Sequence, residues 1–199
     1  SQPTRQQHRY VGCLGNRCVC HITNTSEPSR MWEWGSSFNL VKDALLNRAM
    51  LLLAEQPGAI FLGQNVAYDG NVMYRHFEGI PMEQRLELPV CEELQMGMSI
   101  GLALQGFLQI SIYPRMDFLL LAMNQLINHL DKLPMMSNGQ YTPKVIIRTK
   151  VGSRWPLDAG PQHTQDHTEA FRTMLTTVAV GQITRPEHIM PTYQDAIDR

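Results

Sequence analysis

The sequence predicts an α/β domain of three layers, in which a mainly parallel sheet carries helices on both faces. From about residue 38 onward, short apolar runs alternate with segments whose apolar residues recur at helical spacing. The run KVIIRT at 144–149 has a continuous apolar middle, which is typical of a strand covered on both faces. Between residues 86 and 113, a strand, a helix with small residues and a second strand follow one another, as in a parallel crossover.

Composition and charge exclude several classes of function. The chain has 199 residues, of which 43% are apolar, enough for a sizeable core. Its formal net charge of -1 gives no reason to expect binding to nucleic acid or to an anionic membrane. No apolar run reaches the length of a membrane span, and four cysteines are too few for a disulfide framework at this size. We therefore expect a cytoplasmic protein, or one of the mitochondrial matrix if the source is eukaryotic.

The composition changes near residue 38, which predicts an N-terminal extension over 1–37 and one domain over 38–199. Within the extension, a cluster of possible zinc ligands occurs in VGCLGNRCVCHITNT, namely Cys13, Cys18, Cys20 and His21. Their spacing matches no closed zinc module, and the alternating residues equally fit one face of a small hairpin that turns at Gly15-Asn16. Both interpretations stay open.

The order of elements follows from hydrophobic periodicity and from turn residues. The first predicted helix is capped by Ser36, Ser37 or Asn39 and ends at Glu55, before the breaker at 56–58. Another helix is predicted from Phe118 to Lys132, with Asp117 as its cap. The remaining elements are strands at 59–62, 86–90, 108–113, 144–149 and 177–180, and helices that begin at residue 92 and span 186–198.

The central unit places a carboxylate where parallel sheets bind ligands. Glu92 and Glu93 follow the strand at 86–90 and open the next helix. Ligands of open parallel sheets lie beyond the carboxyl ends of the strands, so this position makes Glu92 a candidate site residue. Taken alone, the pair also fits two solvated charges at a helix start.

The segment LPVCEELQMGMSIGLALQG resembles the pattern TPxSExGxxGxAxGxAxxG of the beta subunit of 2-oxo acid dehydrogenases that depend on thiamine diphosphate. Further segments resemble that family in the same order, over about residues 39–199. They are FLGQNVAYDG, DFLLLAMNQLINHLDKL, GQYTPKVIIR, AGPQHTQDHTEAF and ITRPEHIMPTYQDAIDR. The resemblance implies the transketolase-like pyrimidine-binding domain, whose fold agrees with the elements above.

The resemblance also implies roles for individual residues. Glu92 falls on the family's activating glutamate, which bonds to a ring nitrogen of the cofactor's aminopyrimidine and drives its change of tautomer. Phe118 falls on the aromatic residue that stacks on that ring. Val90 and Pro114 fall on other positions that contact the ring, and His163 falls on a histidine that could transfer protons near the thiazolium.

The resemblance implies that the cofactor site is divided between this chain and a partner chain. No Gly-Asp-Gly motif followed by Asn is present to hold the diphosphate and Mg²⁺ of thiamine diphosphate. We expect these to be held by an alpha-type subunit, in a heterotetramer or around a homodimer of pyrimidine domains, with a 2-oxo acid as substrate. The family's beta subunit continues beyond the position of Arg199, so we expect either a chain cut at a domain boundary or a minimal half-enzyme, inactive alone.

Several residues depart from the family pattern and keep other functions open. They are Gln64, Glu93, Leu94 and Pro114. One alternative is a catalytically idle relative that serves assembly or regulation. Others are a subunit of a split transketolase-like carbon-carbon ligase or lyase, and a generic α/β ligand-binding domain.

Overall fold

A parallel sheet forms the centre of the protein. The computed structural model describes residues 19–24, 35–152 and 158–199. Within them the strands are β1 (Val19–Asn24), β2 (Ala59–Gly63), β3 (Arg85–Glu87), β4 (Leu108–Ile112), β5 (Val145–Val151) and β6 (Ala179–Ile183). They form a six-stranded sheet in the order β3-β2-β4-β5-β1-β6, and every pairing is parallel. The predicted fold class is confirmed.

Helices cover both faces of this sheet. The α-helices are α1 (Gly35–Ala54), α2 (Glu92–Leu104), α3 (Met116–Leu119), α4 (Leu133–Met136), α5 (Thr168–Met174) and α6 (Ile189–Asp198). The 3-10 helices are Val72–Phe77, Met82–Gln84, Leu120–Ala122 and Pro186–His188, and Asn124–Leu130 is a π-helix. In the described part of the chain, no helix combines the length and apolarity that a membrane span requires.

The alternation of side chains along β5 divides the core into two layers. Ile146 packs with residues of α1 and α6 on one face of the sheet. Val145, Ile147 and Val151 pack with residues of α2, α5 and the π-helix on the other face. Since β5 is buried on both faces, its continuous apolar run is explained.

Some predicted element bounds are wrong. The strand predicted at 86–90 ends at Glu87, because its partner β2 ends at Gly63 and only one more bond, from the Leu88 amide to the Gly63 carbonyl at 2.8 Å, continues the pairing. The helix predicted over 118–132 begins at Met116 as an α-helix. It continues as the 3-10 helix Leu120–Ala122 and then as the π-helix Asn124–Leu130. The first helix begins at Gly35, ahead of its predicted cap.

The predicted extension contributes a strand to the sheet. β1 pairs in parallel with β5 and with β6, starting from Val19 beside Ile146 and Ala179. Both edges of β1 are occupied, so the predicted hairpin is wrong for these residues. Cys13 and Cys18 lie outside the described residues, and only the backbone of Cys20 and His21 is described, so zinc binding by this cluster stays a prediction.

A buried carboxylate joins the π-helix to the start of β6. Asp131 accepts hydrogen bonds from the backbone amides of Thr176 at 2.9 Å, Thr177 at 2.7 Å and Val178 at 2.9 Å. The ammonium group of Lys132 donates a hydrogen bond to the same carboxylate at 2.7 Å. Burial alone raises the pKa of Asp131, but the bonds from Lys132 and the backbone outweigh it and bring the pKa well below its ordinary value. The ionised carboxylate thus fixes the connection between the two elements.

Candidate active site

The predicted site residues follow the carboxyl ends of three strands that meet at one edge of the sheet. Val90 and Glu92 come after β3, Pro114 and Phe118 come after β4, and His163 comes after β5. Because all pairings are parallel, these segments leave the sheet at the same edge. This is the edge at which open parallel sheets bind their ligands.

Glu92 is a buried carboxylate at the first position of α2. Its exposure is 3%, and its Oε1 accepts a hydrogen bond from Nε2 of Gln64 at 3.2 Å. The hydroxyl of Tyr113 donates to the main-chain carbonyl of Glu92 at 3.4 Å, which links the helix start to the end of β4. A negative charge at a helix N-terminus is stabilised by the helix dipole. Among the described residues, the carboxylate has no other hydrogen-bond partner, so it can accept one from a ligand.

Glu93 is directed away from Glu92. It is exposed, and its Oε1 accepts a hydrogen bond from Nδ2 of Asn124 at 3.2 Å. Consecutive residues of a helix point in directions about 100° apart, so one carboxylate turns inward and its neighbour turns to the surface. The two glutamates therefore do not act as a pair.

A second amide side chain fixes the start of α2 against the sheet. Gln95 is fully buried one turn after Glu92, and its Nε2 donates to Oγ of Ser111 at 3.0 Å and to the carbonyl of Ile112 at 3.0 Å. Gly63 permits this close packing. A Cβ there would lie 2.2 Å from the Ile112 carbonyl oxygen and 2.9 Å from Nε2 of Gln95. The ends of β2 and β4 thus hold the helix that carries Glu92.

Phe118 and His163 are in contact. Their rings are perpendicular, with centroids 5.3 Å apart. Asp117 does not cap a helix, contrary to the prediction; it lies inside α3, and its Oδ1 accepts from the Gln165 amide at 3.3 Å and from Gln165 Nε2 at 2.9 Å. A Cβ on Gly152 would lie 1.8 Å from the His163 carbonyl oxygen. The loop that carries His163 is therefore held from two sides.

The two other predicted contact residues differ in exposure. Val90 exposes 76% of its surface, so its side chain is open to a ligand or to a partner. Pro114 is half-buried and directly follows the buried Tyr113 at the end of β4. Val90 lies two residues before Glu92. Pro114 directly follows Tyr113, whose hydroxyl bonds to the main-chain carbonyl of Glu92.

Sequence reasoning missed two residues that shape the site. Gln64 was noted as a departure from the family pattern, although its place after the apolar run of β2 is the same strand-end signal that identified Glu92. Gln95 carries no such signal, because a polar residue inside a helix is ordinarily expected at the surface.

Comparisons with known proteins support the family resemblance. The chain is 32% identical over 122 residues to pyruvate dehydrogenase E1 component subunit beta-3 of Arabidopsis thaliana, covering 59% of this chain and 29% of that protein. It is 28% identical over 172 residues to the beta-3 subunit of Oryza sativa, covering 83% and 43% respectively. It is 27% identical over 153 residues to the beta subunit of Mycoplasma pneumoniae, covering 75% and 43%. No protein-family model matches the chain.

This chain is therefore similar to E1 beta subunits of pyruvate dehydrogenase, and the predicted resemblance to the beta subunit of a 2-oxo acid dehydrogenase is confirmed. The matches span 29–43% of the length of these relatives, well under half of each.

Proposed function

We propose that this chain provides the aminopyrimidine-binding part of a thiamine-diphosphate-dependent 2-oxo acid dehydrogenase. The observation that carries the proposal is the buried carboxylate of Glu92 at a helix start, on the ligand-binding edge of a parallel sheet. The similarity to E1 beta subunits supports it independently.

The side chains at this edge fit an aminopyrimidine ring. One oxygen of Glu92 is occupied by Gln64, which leaves the carboxylate able to bond to a ring nitrogen. Phe118 is half-buried and offers an aromatic ring on which a flat heterocycle can stack. Val90 is open for a further contact. When bound, thiamine diphosphate would supply a nucleophilic thiazolium carbon for decarboxylation of a 2-oxo acid.

Glu92 would hold and return a proton at a nitrogen of the aminopyrimidine ring. A carboxylate that is 3% exposed lies in a medium of low dielectric constant, where its hydrogen bond to a ring nitrogen is stronger than in water. The bond from Gln64 at 3.2 Å restrains the orientation of the carboxylate. We propose that His163, whose ring contacts that of Phe118, exchanges a proton with the substrate.

The rest of the site would come from another chain. Among the described residues, no group of three His, Cys, Asp or Glu side chains could hold a metal ion. The sequence also lacks the Gly-Asp-Gly and Asn motif that holds Mg²⁺ and diphosphate in this superfamily. We propose that an alpha-type E1 subunit supplies these ligands, and that pyruvate or a related 2-oxo acid is the substrate.

A reconstitution experiment tests this proposal. This chain and the alpha-type subunit of the same organism are assayed separately and together for decarboxylation of 2-oxo acids, with thiamine diphosphate, Mg²⁺ and an artificial electron acceptor. We expect turnover only in the mixture. Tight, Mg²⁺-dependent binding of the cofactor by this chain alone, measured by calorimetry, would contradict the proposal that the diphosphate site lies elsewhere.

One observation favours an idle relative as the second candidate. Gln64 stands where the family pattern has Glu, and its amide bonds directly to Glu92 at 3.2 Å. An inactive mixture that nevertheless forms a stable complex would support a role in assembly over one in catalysis.

A further inference from the structure

Four basic side chains gather around the carboxyl end of β5, and those that β5 itself carries lie on the face of the sheet opposite Glu92. Arg148 and Lys150 alternate with Ile147 and Val151, so they lie on the side of α1, whereas α2 covers the other side. Two more cations are contributed by α1 and by the segment after β4. We call this group the basic cluster: Lys42, Arg115, Arg148 and Lys150.

The members of the basic cluster lie close together. Lys150 is two residues from Arg148 on the same face of β5, and Lys42 adjoins Asp43, which is linked to Arg148 through His76. Nη1 of Arg115 lies 3.0 Å from the Cβ position of Gly152, directly after β5. Burial, the largest influence, and the charges of Arg115, Arg148 and Lys42 together lower the pKa of Lys150 to about 8. Burial and the charge of Arg148 also lower the pKa of Lys42. Like charges that are close together and shielded from water repel one another strongly.

Arg148 is the most buried member, and its hydrogen bonds are incomplete. It is 3% exposed, and its Nη2 donates to Nδ1 of His76 at 2.7 Å. Its Nη1 is buried and has no hydrogen-bond partner among the described residues. The guanidinium also lies over the ring of Phe77, with Cζ 5.7 Å from the ring centroid. That contact leaves Nη1 without a hydrogen-bond acceptor, and a buried donor of this kind is unfavourable because it has lost its hydrogen bonds to water.

The charges of the basic cluster are only partly balanced. Asp43 is the one carboxylate among the described residues whose charge raises the pKa values of Lys42, Arg148 and Lys150. Asp43 also bonds to His76 at 3.2 Å. His76 adds no charge at neutral pH, because burial and Arg148 lower its pKa to about 4. Four cations therefore face one carboxylate.

We propose that the basic cluster is a binding site for a phosphate-like oxyanion, either free phosphate or the phosphate group of a small molecule. The buried guanidinium of Arg148 offers an unused N–H donor in a fixed direction, and the lysines add mobile point charges around it. An anion there would satisfy the donor and reduce the repulsion among the cations. Arg148 and Lys150 lie on the face of the sheet opposite α2 and the proposed aminopyrimidine site, whereas Arg115 directly follows Pro114 and lies between the two sites.

The test uses the full chain and inorganic phosphate, with thermal unfolding measured at constant ionic strength against chloride. Phosphate also stabilises proteins by exclusion from their surface, so the criterion is a saturable rise in the unfolding midpoint rather than a linear one. We expect saturation with phosphate and not with chloride. A parallel titration with glycerol 3-phosphate distinguishes the two sources, because tighter binding of the ester indicates the phosphate group of a larger molecule.

Two variants that each remove one positive charge provide the comparison. Lys150→Gln should weaken phosphate affinity by about tenfold or more, whereas Arg48→Gln, at an exposed position of α1, should leave it unchanged. If Lys150→Gln does not fold, Lys42→Gln takes its place. Equal stabilisation by chloride and phosphate, or equal phosphate affinity in all variants, would overturn the proposal. Neither result depends on thiamine diphosphate.

Discussion

Acidification should destabilise the fold through His76, whose imidazole is buried between a guanidinium and a carboxylate. Arginine can only donate, so Nδ1 of His76 must accept from Arg148 at 2.7 Å, and its proton must lie on Nε2, directed at Asp43 Oδ1 at 3.2 Å. A second proton on the ring would place an N–H against the guanidinium. Burial, followed by the charge of Arg148, accordingly lowers the pKa of His76 from 6.5 to about 4.

The sign and size of the effect follow from this difference. Between pH 6.5 and 4, the histidine of the unfolded chain takes up a proton while the folded His76 stays neutral, so stability falls as the pH falls through this window. At about 1.4 kcal/mol per pKa unit, the loss from pH 7 to below pH 4 amounts to about 3 kcal/mol. Solvent screens this electrostatic effect only slightly, because His76 is only 6% exposed.

Urea unfolding followed by circular dichroism, at several pH values from 7 to 4, measures this loss. His76→Gln cannot titrate, so the variant should begin less stable at pH 7 but lose up to about 3 kcal/mol less on acidification. His129→Gln, at an exposed position of the π-helix, serves as the matched control and should follow the wild type. Parallel pH profiles for wild type and His76→Gln would refute the reasoning.

Two further predictions concern stability and the loop that carries His163. Asp131→Asn should lower the free energy of unfolding by about 3 kcal/mol, because the NH2 group of Asn would face backbone N–H donors that now bond to a carboxylate. An unchanged urea denaturation midpoint would contradict this. Gly152→Ala should cost about 1–3 kcal/mol and displace His163, since its Cβ would meet the His163 carbonyl oxygen at 1.8 Å. Gly101→Ala, with open space around its Cβ, should instead stabilise the helix by about 1 kcal/mol, and equal denaturation midpoints for both variants would contradict the packing argument.

The sequence predicted those parts of the fold in which local pattern and burial agree. The continuous apolar run of β5 and the position of Glu92 after a strand both follow from rules on parallel sheets. β1 was missed because VCHITN carries polar residues and lies next to the cysteines, where a hairpin explained the pattern equally well. Its place between β5 and β6 depends on pairing with strands more than a hundred residues away, which periodicity does not report.

The site was predicted as single residues, and its contacts depend on the tertiary structure. That Glu92 and Glu93 point in different directions follows from helix geometry, but which of them turns inward depends on the packing of α2 against the sheet. The bond from Gln64 and the anchoring of Gln95 join residues far apart in the chain, so neither could be read from spacing. The cap predicted at Asp117 is wrong because the helix begins one residue earlier, at Met116, and the carboxylate instead accepts a bond from the distant Gln165.

The central claim is that Glu92 acts on the aminopyrimidine, and the neighbouring glutamate offers a matched control. Turnover is measured in the complex with the alpha-type subunit for wild type, Glu92→Gln and Glu93→Gln. If Glu92 exchanges a proton with the ring, Glu92→Gln should lose at least about 100-fold in kcat while the unfolding midpoint is retained, and Glu93→Gln should stay close to wild type. Equal turnover in Glu92→Gln and Glu93→Gln would contradict the claim.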